Sequence, residues 1–270
     1  MRLRNSLFLT VSILALAFIA GCSSKTPDEF QGYVEGEYVF VAPPLGGALT
    51  NLAVARGEQV RAGQLLFELE RGSEAAVLDE AKRNLAQAKA SFALSEANYG
   101  RRRQLRDANG VISAEELDQA RAQRDADLAA VESQTAALDK ALWSFDQKQQ
   151  FAPAEAQVHD TLYRQGEWVV AGNPVVVLLP PANLKVRFFV PQEFLPRLKA
   201  GQPVKVAFDG GRHAYSAMIN YISTEAEFTP PVIYSRENRS KMVFMIEAKF
   251  SPADAADLRP GQPVDVRINP

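Results

Sequence analysis

Residues 47 to 69 read GALTNLAVARGEQVRAGQLLFEL, and residues 156 to 178 read AQVHDTLYRQGEWVVAGNPVVVL. The two align without a gap, setting Gly57 on Gly166, Glu58 on Glu167, Val60 on Val169 and Gly63 on Gly172. An internal repeat constrains a fold more than composition does, because both copies must build the same unit. Each copy begins with short alternating apolar runs (Leu49, Leu52 and Val54; Val158 and Leu162). A G-E-x-V-x-x-G turn follows, then an apolar strand, Leu65 to Phe67 or Val175 to Val177. Alternation marks half-buried strands, and glycine supplies the positive φ that tight turns require. Two such units predict two related β-rich halves built on the same turn.

The stretch between the halves is helical in character. From Ser73 to about Arg106 it is rich in Ala, Leu, Glu, Gln, Lys and Arg and has no proline. Leu78, Leu85, Phe92 and Tyr99 recur every seventh residue, with Ala81, Ala88 and Ser95 three residues after the first three. A break is expected over residues 108 to 112. Ser113 then caps a second helix, with Glu116 at the capping-box position. Leu117, Val131, Leu138 and Phe145 carry the heptad, Leu128 and Leu142 are expected at the alternate positions, and Arg124 interrupts the seam. Two such helices predict an antiparallel coiled coil roughly 50 Å long that projects, since nothing else in the chain is left to pack against it.

Beyond Pro181 the texture changes. Residues 184 to 190 alternate as a strand, and residues 191 to 198 read as one short helix. LKAGQPVKVAF (198 to 208) reappears as LRPGQPVDVRI (258 to 268), a second internal echo. Between them lie a hairpin signal at 209 to 211, strands near 215 to 223 and 242 to 250, and a polar loop. Several short strands with turn signals predict a small β-barrel.

The chain opens with Arg2 and Arg4, an apolar run from Leu7 to Ala20, then Gly21-Cys22. That run is shorter than the about twenty residues a membrane span needs, and it resembles a secretory signal. Small residues before the only cysteine resemble the lipobox of bacterial lipoproteins, which implies cleavage before Cys22 and acylation there. Each buried methylene of such an anchor contributes about 0.8 kcal/mol. One cysteine cannot form a disulfide within the chain. With 30 basic and 32 acidic side chains the net charge is −2, so no global basic field points to nucleic acid.

A repeat of this kind is similar to the two halves of a lipoyl or biotinyl carrier. A carrier joins its halves by a hairpin bearing a modifiable lysine, and here the helices take that place. The order of half-sandwich, helical hairpin, half-sandwich and small barrel behind a lipid anchor resembles the HlyD-type periplasmic adaptors, or membrane fusion proteins. LKVRFFVPQE and TPPVIYSRENRSKMVF look closest to adaptors of ABC-2-type exporters. The resemblance implies a mixed α and β, elongated fold: a lipoyl-like barrel-sandwich hybrid split by an antiparallel α-helical coiled-coil hairpin, then a small β-barrel. It sets a signal peptide at 1–21, anchor and linker at 22–36, sandwich halves at 37–71 and 151–180, the hairpin at 72–150 and the barrel at 181–270.

It further implies a non-enzymatic adaptor without cofactor, lipid-anchored in the periplasm, inner membrane first. Such an adaptor links an inner-membrane transporter, ABC type first, to a TolC-like outer-membrane channel as a homo-oligomer, hexameric in the family. Proton-driven RND or MFS pumps, or a structural envelope role, are the alternatives. The family's hairpin tip docks through R-x-x-x-L-x-x-x-x-x-x-S. Here Ser113 fits; counting back gives Arg102 with Arg106 at the leucine position, while Arg101 with Leu105 keeps the R-x-x-x-L spacing. With Arg103, these residues make a strongly basic tip suited to an acidic or carbonyl-lined rim.

Other chemistry finds little purchase. His159 and His213 have no carboxylate or cysteine neighbours at ligand spacing. Asp254 and Asp257 fall in a short polar turn, and core packing is expected for at least one of Met242 and Met245. The proline-stiffened loop from Thr229 to Lys241 gathers Tyr234, Arg236, Glu237, Asn238 and Arg239, a candidate surface for the pump or for a ring interior.

Overall fold

The computed structural model describes residues 29–110, 112–208, 214–228, 242–255 and 258–268. In chain order it contains β1 (Glu29–Gly36), β2 (Val39–Val41), β3 (Gly47–Leu52), β4 (Gln59–Val60), β5 (Leu65–Leu69), α1 (Gly72–Asn109) and α2 (Ala114–Asp146). The second half adds β6 (Gln149–Phe151), β7 (Ala156–Thr161), β8 (Trp168–Val169), β9 (Val176–Leu179), β10 (Leu184–Pro191), β11 (Pro203–Phe208), β12 (Tyr215–Phe228), β13 (Met242–Phe250), α3 (Pro252–Ala255) and β14 (Pro263–Ile268). These elements make two compact units, one spanning Glu37–Pro181 and one built from the chain before and after it.

In the first unit two four-stranded sheets, ordered β2-β9-β7-β4 and β6-β5-β3-β8, each draw strands from both sides of the helices. The two orders interchange when each strand is replaced by its counterpart in the other repeat. Hydrogen bonds obey the same exchange. The Gly57 N–H donates to the Val158 carbonyl and the Gly166 N–H to Leu49, the counterpart of Val158, both at 2.8 Å. Likewise Gly63 donates to Ala152 at 2.8 Å and Gly172 to Pro43 at 2.9 Å. The halves are thus interlocked by a local two-fold, and neither could satisfy its backbone alone. Leu49, Val60, Leu66, Phe67, Val158 and Val169 fill the core between them. Leu162 is exposed, and the neighbouring Tyr163 packs against the core in its place.

The repeated Gly-Glu dipeptide has a local cause. Gly57 and Gly166 hold φ of 87° and 94°, a region other residues enter at a cost. The next side chain locks the turn: Glu58 Oε2 accepts from the Ala55 N–H and Glu167 Oε2 from the Arg164 N–H, each at 2.9 Å. The barrel echo uses the same device with Gln, whose Oε1 accepts from Lys199 (Gln202, 3.2 Å) and Arg259 (Gln262, 2.9 Å). One turn type therefore explains both internal repeats.

The second unit is a closed barrel, β1-β10-β13-β12-β11-β14. Its first strand corrects the sequence reading: Glu29–Gly36, expected within the anchor and linker, pairs with both β10 and β14 and closes the barrel. Phe30 and Val34 fall on its buried side, which is the alternation the linker assignment overlooked. β12 runs longer than expected and carries two register shifts against β13. The short helix expected after Val190 is a 3₁₀ segment, Gln192–Arg197. Val186, Phe188, Val206, Ile246 and Val266 fill the interior, while Met242 and Met245 are half-buried.

Candidate functional site

The hairpin is seated on the sandwich by charges the sequence reading passed over. Lys148 follows α2 directly and is 4% exposed. Its Nζ lies 3.0 Å from Glu74 Oε1, in the first turn of α1, and donates to the Gly46 carbonyl at 2.7 Å. Burial pushes the Glu74 carboxyl up, but the hydrogen bonds from Lys148 and Ser73 outweigh it and leave the group below its ordinary value. Arg71 stacks over the Phe145 ring at 4.6 Å and pairs with Glu68 at 2.9 Å. Both helix ends are thus tied to the same few residues of the sandwich rim.

Above this seat the helices meet along a narrow seam. On α1 the heptad holds as expected: Leu78, Ala81, Leu85 and Ser95 are buried, and Ala88, Phe92 and Tyr99 are half-buried. On α2 the Leu117, Arg124, Val131, Leu138 and Phe145 series faces inward, but the alternate positions are corrected. Leu128 and Leu142 are 40% and 44% exposed; Ala120, Asp127, Gln134 and Ala141 occupy the seam instead. The seam alternates steps of three and four, and the leucines sit four residues after an inward position where three is required. Arg124 does not break the seam, because its guanidinium lies over the Tyr99 ring at 4.7 Å and pairs with Glu96 at 3.8 Å.

At the tip α1 continues through Asn109, the second residue of the expected break, and ends on Gly110 at φ 60°. Ser113 caps α2 as expected: its Oγ accepts from the Glu116 N–H at 3.2 Å, and the Glu116 carboxylate accepts from the Ser113 N–H at 3.1 Å. Those hydrogen bonds hold the Glu116 carboxyl below its ordinary value. The arginines divide by heptad phase. Arg102 and Arg106 continue the inward series; Arg102 donates to the Glu116 carbonyl at 3.2 Å across the turn, and Arg106 is half-buried. Arg102 also lines a cleft of about 180 Å³ with Ser95, Asn98, Gln119, Ala120 and Gln123. Arg101, bonded to Asn98, and Leu105, 49% exposed, lie on the outer side. The tip therefore presents Arg101 and Leu105 outward while Arg102 and Ser113 serve the turn itself.

A second polar cluster sits in the barrel, on the face of β10 opposite Val186 and Phe188. Lys185 Nζ is 2.9 Å from Glu247, and Arg187 bridges Glu35 at 2.8 Å and Glu247 at 2.9 Å. Burial raises the Glu247 carboxyl, yet the hydrogen bonds from Lys185 and Arg187 prevail and hold it low. The cluster laces β1, β10 and β13 together. Alternate charges in LKVRFFV were its only sequence signal. His159 lies against the Tyr38 ring at 4.4 Å, a packing contact. No group of side chains able to hold a metal occurs among the described residues, and none of their helices is long and apolar enough to cross a membrane. Cys22, His213, Asp257 and the loop residues Tyr234, Arg236, Glu237, Asn238 and Arg239 lie outside the described residues.

Residues 77–148 match the alpha-helical hairpin domain of the RND membrane fusion proteins. The chain is 27% identical over 290 residues to the UPF0194 membrane protein YbhG of Salmonella gallinarum, covering 88% of this chain and 87% of that one. It is 26% identical over 204 residues to the uncharacterized protein YdhJ of Escherichia coli K12, covering 74% and 71%. Its fold is that of the membrane fusion protein Spr0693 of Streptococcus pneumoniae R6 (TM-score 0.63, 20% identity, 89% and 98% covered). MacA of Actinobacillus actinomycetemcomitans is similar too (TM-score 0.66, 18% identity, 90% and 79% covered).

Proposed function

We propose that this chain, which carries the hairpin domain of the membrane fusion proteins on the fold of their solved members, is a periplasmic adaptor of an efflux system. One observation carries the reading: a helical hairpin is inserted between the halves of an interlocked sandwich and presents a basic tip away from the residues that seat it. In this reading the tip meets an outer-membrane channel through Arg101 and Leu105, with Arg102, Arg106 and Ser113 holding the turn that presents them. Cys22 carries the lipid that keeps the protein at the inner membrane, and several copies assemble around the export path. An inner-membrane transporter supplies the energy.

For the transporter we favour the ABC class, on the likeness of LKVRFFVPQE and the loop after Thr229 to adaptors of ABC-2-type exporters. The RND designation of the matching hairpin domain supports a second reading, an RND pump. A mild-detergent pull-down of the tagged full chain from its native envelope, with mass spectrometry of the co-purifying proteins, separates them. An ABC permease with an outer-membrane channel is the expected result. An RND pump instead overturns the class assignment, and neither partner, where a known adaptor keeps its own, overturns the adaptor reading in favour of an envelope-structural role.

A further inference from the structure

The seam of the hairpin changes character beyond Phe92 and Val131. Among the described residues, every buried apolar side chain of the two helices lies on the sandwich side of that level: Leu78, Ala81, Leu85 and Ala141, with Leu138 and Phe145 packed against them. Toward the tip the inward positions are Ser95, Tyr99, Arg102 and Arg106 on α1, and Leu117, Ala120, Arg124 and Asp127 on α2. The contacts that cross the seam there rest on cations: Arg124 over Tyr99, Arg124 with Glu96, and Arg102 with the Glu116 carbonyl. Glu96 and Arg102 are exposed, so water competes for these contacts. Where Ser95 and Ala120 leave the interior short of side chain, a cleft of about 180 Å³ opens between the helices. Arg102 and Arg106 also stand one turn apart on the same face, a like-charge spacing that weakens a helix.

Gly100 lies within this stretch and is the one glycine of either helix beyond Gly72. A Cβ added at Gly100 would meet nothing within 4 Å, and its φ is not positive. Neither a close approach nor a left-handed turn therefore calls for glycine here, in contrast to Gly110 at the helix end. Glycine inside a helix is the least favourable residue after proline, because it loses the most backbone freedom on folding. A helix weakened by its own sequence and a seam without a buried apolar contact fall at the same place.

We propose that the distal part of the hairpin, α1 from Ser95 and α2 as far as Asp127, opens and closes as one cooperative unit while the basal part stays folded on the sandwich. Ser95 to Asn109 is fifteen residues and Ala114 to Asp127 fourteen, lengths at which a helix in water is marginal without a partner. When one distal helix lets go, the other loses its support and follows. The Ser113 cap and the Arg102 bond to Glu116 belong to this unit. The Lys148–Glu74 pair and the stacking of Arg71 on Phe145 lie outside it and hold the base. Opening frees the guanidinium groups of Arg102 and Arg124, which the closed hairpin engages itself. A partner that recognises the closed tip would order the unit as it binds. The device is a property of the chain alone and does not rest on the adaptor reading.

The test is amide hydrogen exchange, read by mass spectrometry, on the purified full chain. Amides of the distal unit should exchange about tenfold or more faster than those of residues 78–92 and 131–145, and should share one dependence on denaturant. Gly100→Ala should slow the distal amides about fivefold and leave the basal ones unchanged. Ser113→Ala should speed them about fivefold, on α1 from Ser95 to Leu105 as well as on α2, since the cap is part of a unit that spans both helices. Equal protection on the two sides of Phe92 would overturn the proposal. So would a Gly100→Ala effect that is absent or uniform along the hairpin, or a Ser113→Ala effect confined to the first turn of α2, which marks simple fraying. A cooperative distal opening in a chain that captures neither pump nor channel keeps this inference and sinks the adaptor reading; uniform protection in a chain that captures both does the reverse.

Discussion

Replacing Lys148 by methionine removes the ammonium that seats the hairpin while keeping most of its length. The structure sets the scale of the loss. Lys148 is 4% exposed, and its two partners are the Glu74 carboxylate and the Gly46 carbonyl. Removing one member of a buried pair costs about 3–5 kcal/mol, because the other charge is left without compensation. The Glu74 side chain keeps 19% of its exposure and so regains some water, which places the cost at about 2–3 kcal/mol. Glu74→Ala should cost at least as much, since the Lys148 side chain it strands is the more buried partner, at 6%.

For a unit of this size that loss lowers Tm by about 5–10 °C. Both tryptophans of the chain, Trp143 and Trp168, lie in the sandwich-and-hairpin unit, so their fluorescence during a thermal melt reports on it without interference from the barrel. The pH dependence supplies a second reading. The folded Glu74 group lies below its unfolded value, so its contribution is fully present above the unfolded carboxylate range, about pH 4.3. It disappears as pH falls through the folded value. Lys148→Met should flatten the acid limb of the stability profile as well as lower Tm. A Tm within 2 °C of wild type, or an unchanged acid limb, would refute the reasoning that this pair seats the hairpin.

Four further outcomes are expected. Gly166→Ala places a Cβ at φ 94° in open space, so the whole penalty is conformational, about 1–2 kcal/mol, and Gly57→Ala should match it through the local two-fold; denaturant titration checks both. Lys185→Met leaves Glu247 held by Arg187 alone and should loosen β13 first, seen as faster amide exchange over residues 242–250 than over 203–208. Ser113→Ala should cost about 1 kcal/mol through the lost cap, and Ser113→Asp should recover it. Arg101→Ala with Leu105→Ala should leave the hairpin melt unchanged and impair export; full export by that double variant removes both residues from the docking surface.

What could be read from the sequence, and what could not, divides along physical lines. The turn glycines were legible because a positive φ admits few substitutes, so Gly57, Gly63, Gly166 and Gly172 announced the two halves and their register. The cap at Ser113 was legible for the same reason: a local hydrogen bond dictates local residue types. The linker assignment of Glu29–Gly36 failed because a strand whose partners lie at Leu184–Pro191 and Pro263–Ile268 has no local signature beyond its alternation. The ion pair at Lys148 was invisible, and the one at Lys185 showed only as alternate charges in LKVRFFV, because charge alone does not reveal burial and both partners are distant in sequence. The hairpin shows the subtler error. Leu128 and Leu142 drew the seam toward themselves because a coiled coil usually fills its interior with leucine, whereas the structure buries Ala141 there and half-buries Ala120, Asp127 and Gln134. Phase, not hydrophobicity, decides which residues a helix turns inward.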